Sequence, residues 1–118
     1  MTEHLQRYKR GRAAEIAAAL YLMCKGYRIL SWRYKTKHGE VDLIAKRGRV
    51  VAFVEVKARG GHAEGLEAVT PKAQVRILRA AEHYMQRHPT FQNYVWRFDA
   101  VVVTSRRLPY HLTDAWRA

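Results

Sequence analysis

Three residues stand where ionised groups are costly: Asp42, Glu55 and Lys57 lie inside runs that otherwise read as β-strand. Two carboxylates brought close together repel when both are ionised. A divalent cation removes the conflict, and two carboxylates completed by a carbonyl and waters suit the octahedral oxygen preference of Mg²⁺ or Mn²⁺. An ammonium two residues beyond Glu55 points to the same face of a strand. There it can orient an attacking water or stabilise charge on a phosphoryl group. The plain alternative is a Glu–Lys pair at a strand edge. The separate acid 13 residues upstream of Glu55 favours a site.

The elements that would hold these groups follow from the pattern. Gly39–Ala45 and Val50–Arg59 flank Lys46-Arg47-Gly48-Arg49 and read as a hairpin with a four-residue loop. That register opposes Ala45 to Val50, Leu43 to Ala52 and Val41 to Val54. One face is then wholly apolar (Val41, Leu43, Ala45, Val50, Ala52, Val54, Val56). The other carries Glu40, Asp42, Ile44, Val51, Phe53, Glu55 and Lys57, with Asp42 diagonal to Glu55.

Before the hairpin, residues 3–25 read as a helix ended by Gly26, and Tyr27–Tyr34 as a strand. Ala13, Ile16, Ala17, Leu20 and Cys24 share one helix face. Gly11, Glu15, Ala18, Ala19 and Leu22 share another, so Glu15 is either a solvated glutamate or a carboxylate aimed into a site. Cys24 is expected to be a buried, inert thiol. After the hairpin, Ala58–Val69 reads as a glycine-bearing loop from which His62, Glu64 and Glu67 could reach the site.

Thr70-Pro71 marks the N-terminus of a second helix with the apolar stripe Ile77, Leu78, Ala81, Tyr84 and Met85. Lys72, Arg76, Arg79, His83 and Arg87 line another face, which is either solvated or tracks phosphates. Trp96–Val103 is apolar enough for a central or parallel strand. Leu108–Trp116 is an amphipathic terminal segment. The order predicts a single domain over residues 1–118, an α/β fold with a central mixed sheet flanked by helices.

Composition narrows the partner. Lys and Arg number 22 against 10 Asp and Glu, a formal charge of +12, which favours a polyanion and first of all nucleic acid. No apolar run approaches the ~20 residues that span a bilayer. The single cysteine permits no internal disulfide, and a cytosolic setting without a membrane partner is expected. The sequence offers no zinc-type cysteine and histidine spacing.

Asp42 followed by Glu55-Val56-Lys57 resembles the PD-(D/E)XK nuclease superfamily, with Val41 in place of the eponymous proline. More specifically, Gly11-Arg12-Ala13-Ala14-Glu15, Lys25–Leu30, Gly39–Ala45, Phe53–Arg59, Ala68–Lys72 and Arg97–Val101 resemble the YraN family of small bacterial proteins, over nearly the whole chain. The resemblance implies a restriction-endonuclease-like fold similar to archaeal Holliday-junction resolvases. It implies a metal-dependent nuclease acting on DNA, branched or structured DNA included, and a homodimer. It places Glu15, Asp42 and Glu55 around the metal and gives Lys57 a catalytic role, while Glu40 belongs to the motif without an implied role. Arg33, Arg59, Lys72, Arg76 and Arg79 are the expected grips on phosphate. A non-catalytic nucleic-acid-binding module on the same scaffold is the second reading, and an adaptor in which the acids pair with Arg33 or Lys57 is the third.

Overall fold

The computed structural model describes residues 2–59 and 69–118. Helix α1 spans Thr2–Cys24, followed by strands β1 (Arg28–Lys35), β2 (Glu40–Arg47) and β3 (Val50–Ala58). Helix α2 covers Pro71–Gln86, a 3-10 turn Pro89–Phe91, and strands β4 (Val95–Val103) and β5 (Tyr110–Trp116) complete the chain. The five strands lie in the order β1-β2-β3-β4-β5. All neighbours are antiparallel except β3 and β4, which run parallel across the α2 crossover. The sheet is therefore mixed, as the element order requires, and β4 is an interior strand with Phe98 to Val102 buried. His62, Glu64 and Glu67 lie outside the described residues.

Each face of the sheet buries its own core. Ala18, Ala19 and Leu22 of α1 pack on Leu43, Ala45, Ala52, Val54 and Val101. Ile77, Ala80, Ala81, Tyr84 and Met85 of α2 pack on Ile44, Val51, Phe53 and Phe98. The N-terminus of α2 forms where the sequence marks it: the Thr70 side chain accepts the Ala73 N–H at 3.2 Å, and Pro71 occupies the first turn.

Two expectations are corrected. Cys24, expected to be buried, is exposed together with Ile16, Leu20 and Met23, and the buried face of α1 carries Glu15, Ala18, Ala19 and Leu22. Small side chains let the helix backbone approach the sheet, and the bulkier apolar line faces outward. The hairpin turn has two residues rather than four. Arg47 pairs with Val50, Ala45 with Ala52 and Leu43 with Val54, and Gly48 supplies the turn with φ 59°. Parity survives this shift of two, so the residues keep their faces, with one exception. Val41 joins the core beneath α2 while Leu43 joins the one beneath α1. Strict alternation thus breaks at Asp42. Across the β1–β2 ladder the residue between Trp32 and Tyr34 is Arg33, itself at φ 49°.

The turn between β1 and β2 is pinned against α2 at Gly39. A Cβ there would overlap the Arg76 carbonyl and stand 3.1 Å from the Ala80 nitrogen. Gly39→Ala is expected to lower stability by about 1–3 kcal/mol, the usual range for forced overpacking, measured by urea unfolding. A loss below half of 1 kcal/mol would show that the turn can lift away from the helix at little cost.

Candidate active site

The two strand acids meet where the β2–β3 ladder stops. Its last main-chain pair is Leu43 with Val54, so the next step brings Asp42 and Glu55 alongside each other. There a side chain replaces a main-chain partner: Asp42 Oδ2 accepts the Val56 N–H at 2.8 Å. Extended one step, the displaced register would set Asp42 opposite Glu55 rather than diagonal to it, and the Asp42 charge acts on Glu55.

Neither acid is comfortable when ionised. Burial pushes the Asp42 carboxyl up to about 6; Glu15 and Glu40 push the same way, while the Val56 N–H and Arg33 oppose them. Burial and then the Asp42 charge push Glu55 up to about 7, against the pull of Lys57 and Arg76. The raised pair is what a hard cation would relieve. Asp42 and Glu55 form a two-carboxylate donor set with one oxygen spoken for, which fits a magnesium-type ion that keeps several waters.

Glu15 and Glu40 approach this pair from α1 and from the start of β2, but both carry ion pairs of their own. Arg33 Nε donates to Glu15 Oε1 at 2.6 Å, and Arg12 lies 3.7 Å from the same oxygen. Arg76 donates to Glu40, and Lys35 stands 3.9 Å from its other oxygen. Glu15 is buried, so it is not a solvated glutamate. Its charge, however, is answered by arginine. Among the described residues no group of three His, Cys, Asp or Glu side chains is gathered tightly enough to hold a metal, so the expected third carboxylate does not join the pair.

The expected phosphate grips divide accordingly. Arg33 and Arg76 hold carboxylates, and Arg79 lies 3.2 Å from Glu82. Lys72 is exposed in the first turn of α2, and exposed Arg79 borders a hollow of about 440 Å³ together with Lys35, Lys37 and His83. Arg59 lies beyond the end of β3 and, with Ala13, Ala17, Val103 and Thr104, lines a cleft of about 540 Å³ on the α1 side. Lys57, from its alternation with Phe53 and Glu55, belongs to the α2 side. Of these cations, Arg33 acts on Asp42, and Lys57 and Arg76 act on Glu55.

Sequence reasoning misses the tie between Arg76 and Glu40, although it singles out each of them. The spacing of 36 residues gives no local signal, and only the packing of Gly39 against α2 brings them together.

The family model described as "Uncharacterised protein family UPF0102" matches residues 14–103. The chain is 46% identical over 116 residues to UPF0102 protein bll0669 of Bradyrhizobium diazoefficiens, covering 98% of this chain and 87% of that one. It is 49% identical over 113 residues to a UPF0102 protein of Parvibaculum lavamentivorans, covering 96% and 85%. A UPF0102 protein of Nitrobacter winogradskyi is 47% identical over 108 residues, 92% of either chain. No helix among the described residues is long and apolar enough to cross a membrane.

Proposed function

The chain belongs to the UPF0102 family, and on that footing we propose that it is a divalent-metal-dependent nuclease, built on a restriction-endonuclease-like scaffold, that hydrolyses phosphodiester bonds in DNA. The observation that carries the reading is the neighbouring pair Asp42 and Glu55, raised to about 6 and about 7 with the Asp42 charge acting on Glu55, and Lys57 two residues further along the same strand. A fold gains nothing from burying two mutually repelling acids unless something binds them. Asp42 and Glu55 would hold Mg²⁺ or Mn²⁺, which when bound supplies Lewis-acid stabilisation of phosphoryl charge and a more acidic water.

The chain's own residues supply the rest. The Val56 N–H fixes the Asp42 carboxylate in one orientation. Lys57 offers an ammonium beside Glu55 to hold a water or a non-bridging phosphate oxygen. Arg33 holds the Glu15 carboxylate in place on α1, and the Glu15 charge acting on Asp42 sharpens the demand for a cation. Arg76 locks Glu40 and partly offsets the Glu55 charge. Lys72, Arg79 and Arg59, with a net charge of +12, would track the backbone from both sides and make binding salt-sensitive. The sequence offers no base-reading motif, so preference would come from nucleic-acid shape, branched DNA included.

The Glu15–Arg33 pair favours one second reading, a binding module whose acids serve internal pairing. Incubation of the purified chain with branched, duplex and single-stranded DNA plus Mg²⁺ or Mn²⁺, beside Lys57→Ala, separates the two. Cleavage lost in Lys57→Ala is expected. Salt-sensitive DNA binding with no cleavage above that control would leave the binding module standing and remove the nuclease.

A further inference from the structure

A second charged cluster lies outside the acidic pair and serves no step proposed above. Asp99 in β4 is fully buried. Arg97 donates to both of its oxygens, at 2.9 and 2.8 Å, and the Asp114 N–H donates at 3.0 Å. The remaining partner is His111, whose Nε2 stands 2.8 Å from Asp99 Oδ2. An ionised carboxylate can only accept, so this nitrogen carries the ring proton. The opposite nitrogen, Nδ1, then presents a lone pair, and it faces Lys25 Nζ at 2.7 Å.

The imidazole is held rather than mobile, since its side chain is 1% exposed. Tyr27 stacks edge-on against it at 5.7 Å between ring centres. Lys25 is only part-buried. Carboxylate, imidazole and amine are thus ranked in the order by which an oriented histidine takes a proton from a nucleophile. The surroundings act in the same direction. Burial and the Arg47 charge, with Arg97 behind, lower the Lys25 pKa against the opposing pull of Asp99. The Tyr21 ring lies 5.4 Å from the ammonium.

We propose that Lys25 is a site of covalent acylation by acyl phosphates, with His111 and Asp99 as its positioning residues. The Lys25 ammonium passes one proton to His111 Nδ1, where the imidazolium pairs with Asp99 until the amide has formed and the proton is released. The free amine attacks the acyl carbon, a C–N bond forms, and the C–O bond to phosphate breaks with its electron pair on the departing phosphate. That phosphate takes the second nitrogen proton. The product is a neutral amide, inorganic phosphate and one released proton. Arg47, which donates to the Lys25 carbonyl at 3.2 Å, places a guanidinium where the dianionic donor arrives.

The test treats the full chain with acetyl phosphate and follows each lysine by peptide mass spectrometry from pH 6.5 to 9. Near neutral pH, Lys25 should acetylate several-fold faster than Lys35 and Lys37, because His111 takes its proton and its lowered pKa leaves more free amine. The lead of Lys25 should narrow as pH rises, as the direction of its shift requires. In His111→Gln the Lys25 advantage should vanish while Lys35 and Lys37 keep their rates, with cooperative urea unfolding showing that the variant is folded. A parent Lys25 no faster than those two, with a parallel pH profile, overturns the proposal without any variant. So does an undiminished Lys25 rate in folded His111→Gln.

Discussion

Asp42→Asn and Glu55→Gln are expected to abolish cleavage and, at pH 8 without metal, to make the protein more stable. The two effects share one cause. Both acids have folded pKa values above their unfolded ones, about 6 against 3.8 for Asp42 and about 7 against 4.5 for Glu55. Between pH 4 and pH 7 the folded chain therefore holds protons that the unfolded chain has released. Stability falls as pH rises through that window, and above pH 7 the full cost of two ionised, buried neighbours is present. Each amide removes one charge and keeps the shape, and in Asp42→Asn the new carbonyl oxygen can still accept the Val56 N–H.

The gain at pH 8 should be about 1–3 kcal/mol for either variant, from ~1.4 kcal/mol per pKa unit, and should shrink towards zero at pH 4. The acids feel each other, so the double variant should gain less than the sum. Cleavage should fall about 10²-fold or more in either. Mn²⁺ should raise the melting temperature of the parent and leave both variants unmoved. Urea unfolding at pH 8 and pH 4 checks the sign. Variants that are destabilised at pH 8 would mean the carboxylates serve the fold, and the reading of a strained site would fail.

How much of this is legible in the sequence depends on the range of the interaction. The strand acids are visible because charge inside a β-branched run breaks the local pattern, and parity alone places Glu55 and Lys57 on one face. The loop length is misjudged because Lys46, Arg47 and Arg49 look like turn residues. In fact the ladder continues through Lys46 and Arg47 to a two-residue turn at Gly48. Cys24 is misjudged because a place near the end of an apolar helix suggests burial. The sheet instead takes alanines and Glu15, whose charge is answered by Arg33, 18 residues away. A strand's periodicity also gives no warning of the irregularity at Arg33 and Asp42, which lets one acid face Glu15 and Val56 together. Asp99 shows in the sequence only as part of a motif. Its partners come from the amphipathic tail, which forms β5, and no local spacing announces a buried ion cluster closed by a bulge.

That cluster yields the largest stability loss expected here. In Asp99→Ala, Arg97 loses both acceptors, His111 loses the acceptor that fixes its tautomer, and the Asp114 N–H is left unpaired. The loss should be about 3–5 kcal/mol, the range for removing one partner of a buried ion pair, and a large share of a small domain's total. The carboxylate also anchors β5, because the β4–β5 register shifts between Phe98 and Ala100 and Asp114 takes φ 53° to reach it. Burial by itself would raise the Asp99 pKa. The hydrogen bonds from His111, Arg97 and Asp114 overcome that and hold it below the usual range. With the folded value depressed, its stabilisation is complete above the unfolded carboxylate pKa, near 4. It is lost as pH falls through the folded value. Unfolding of the parent should therefore steepen below about pH 4, whereas Asp99→Asn, lacking the titration, should be weaker at neutral pH and flatter in acid. Amide exchange should show β5 opening first in that variant. Parallel acid-unfolding curves for parent and Asp99→Asn would show that the charge contributes nothing and that shape alone holds the tail.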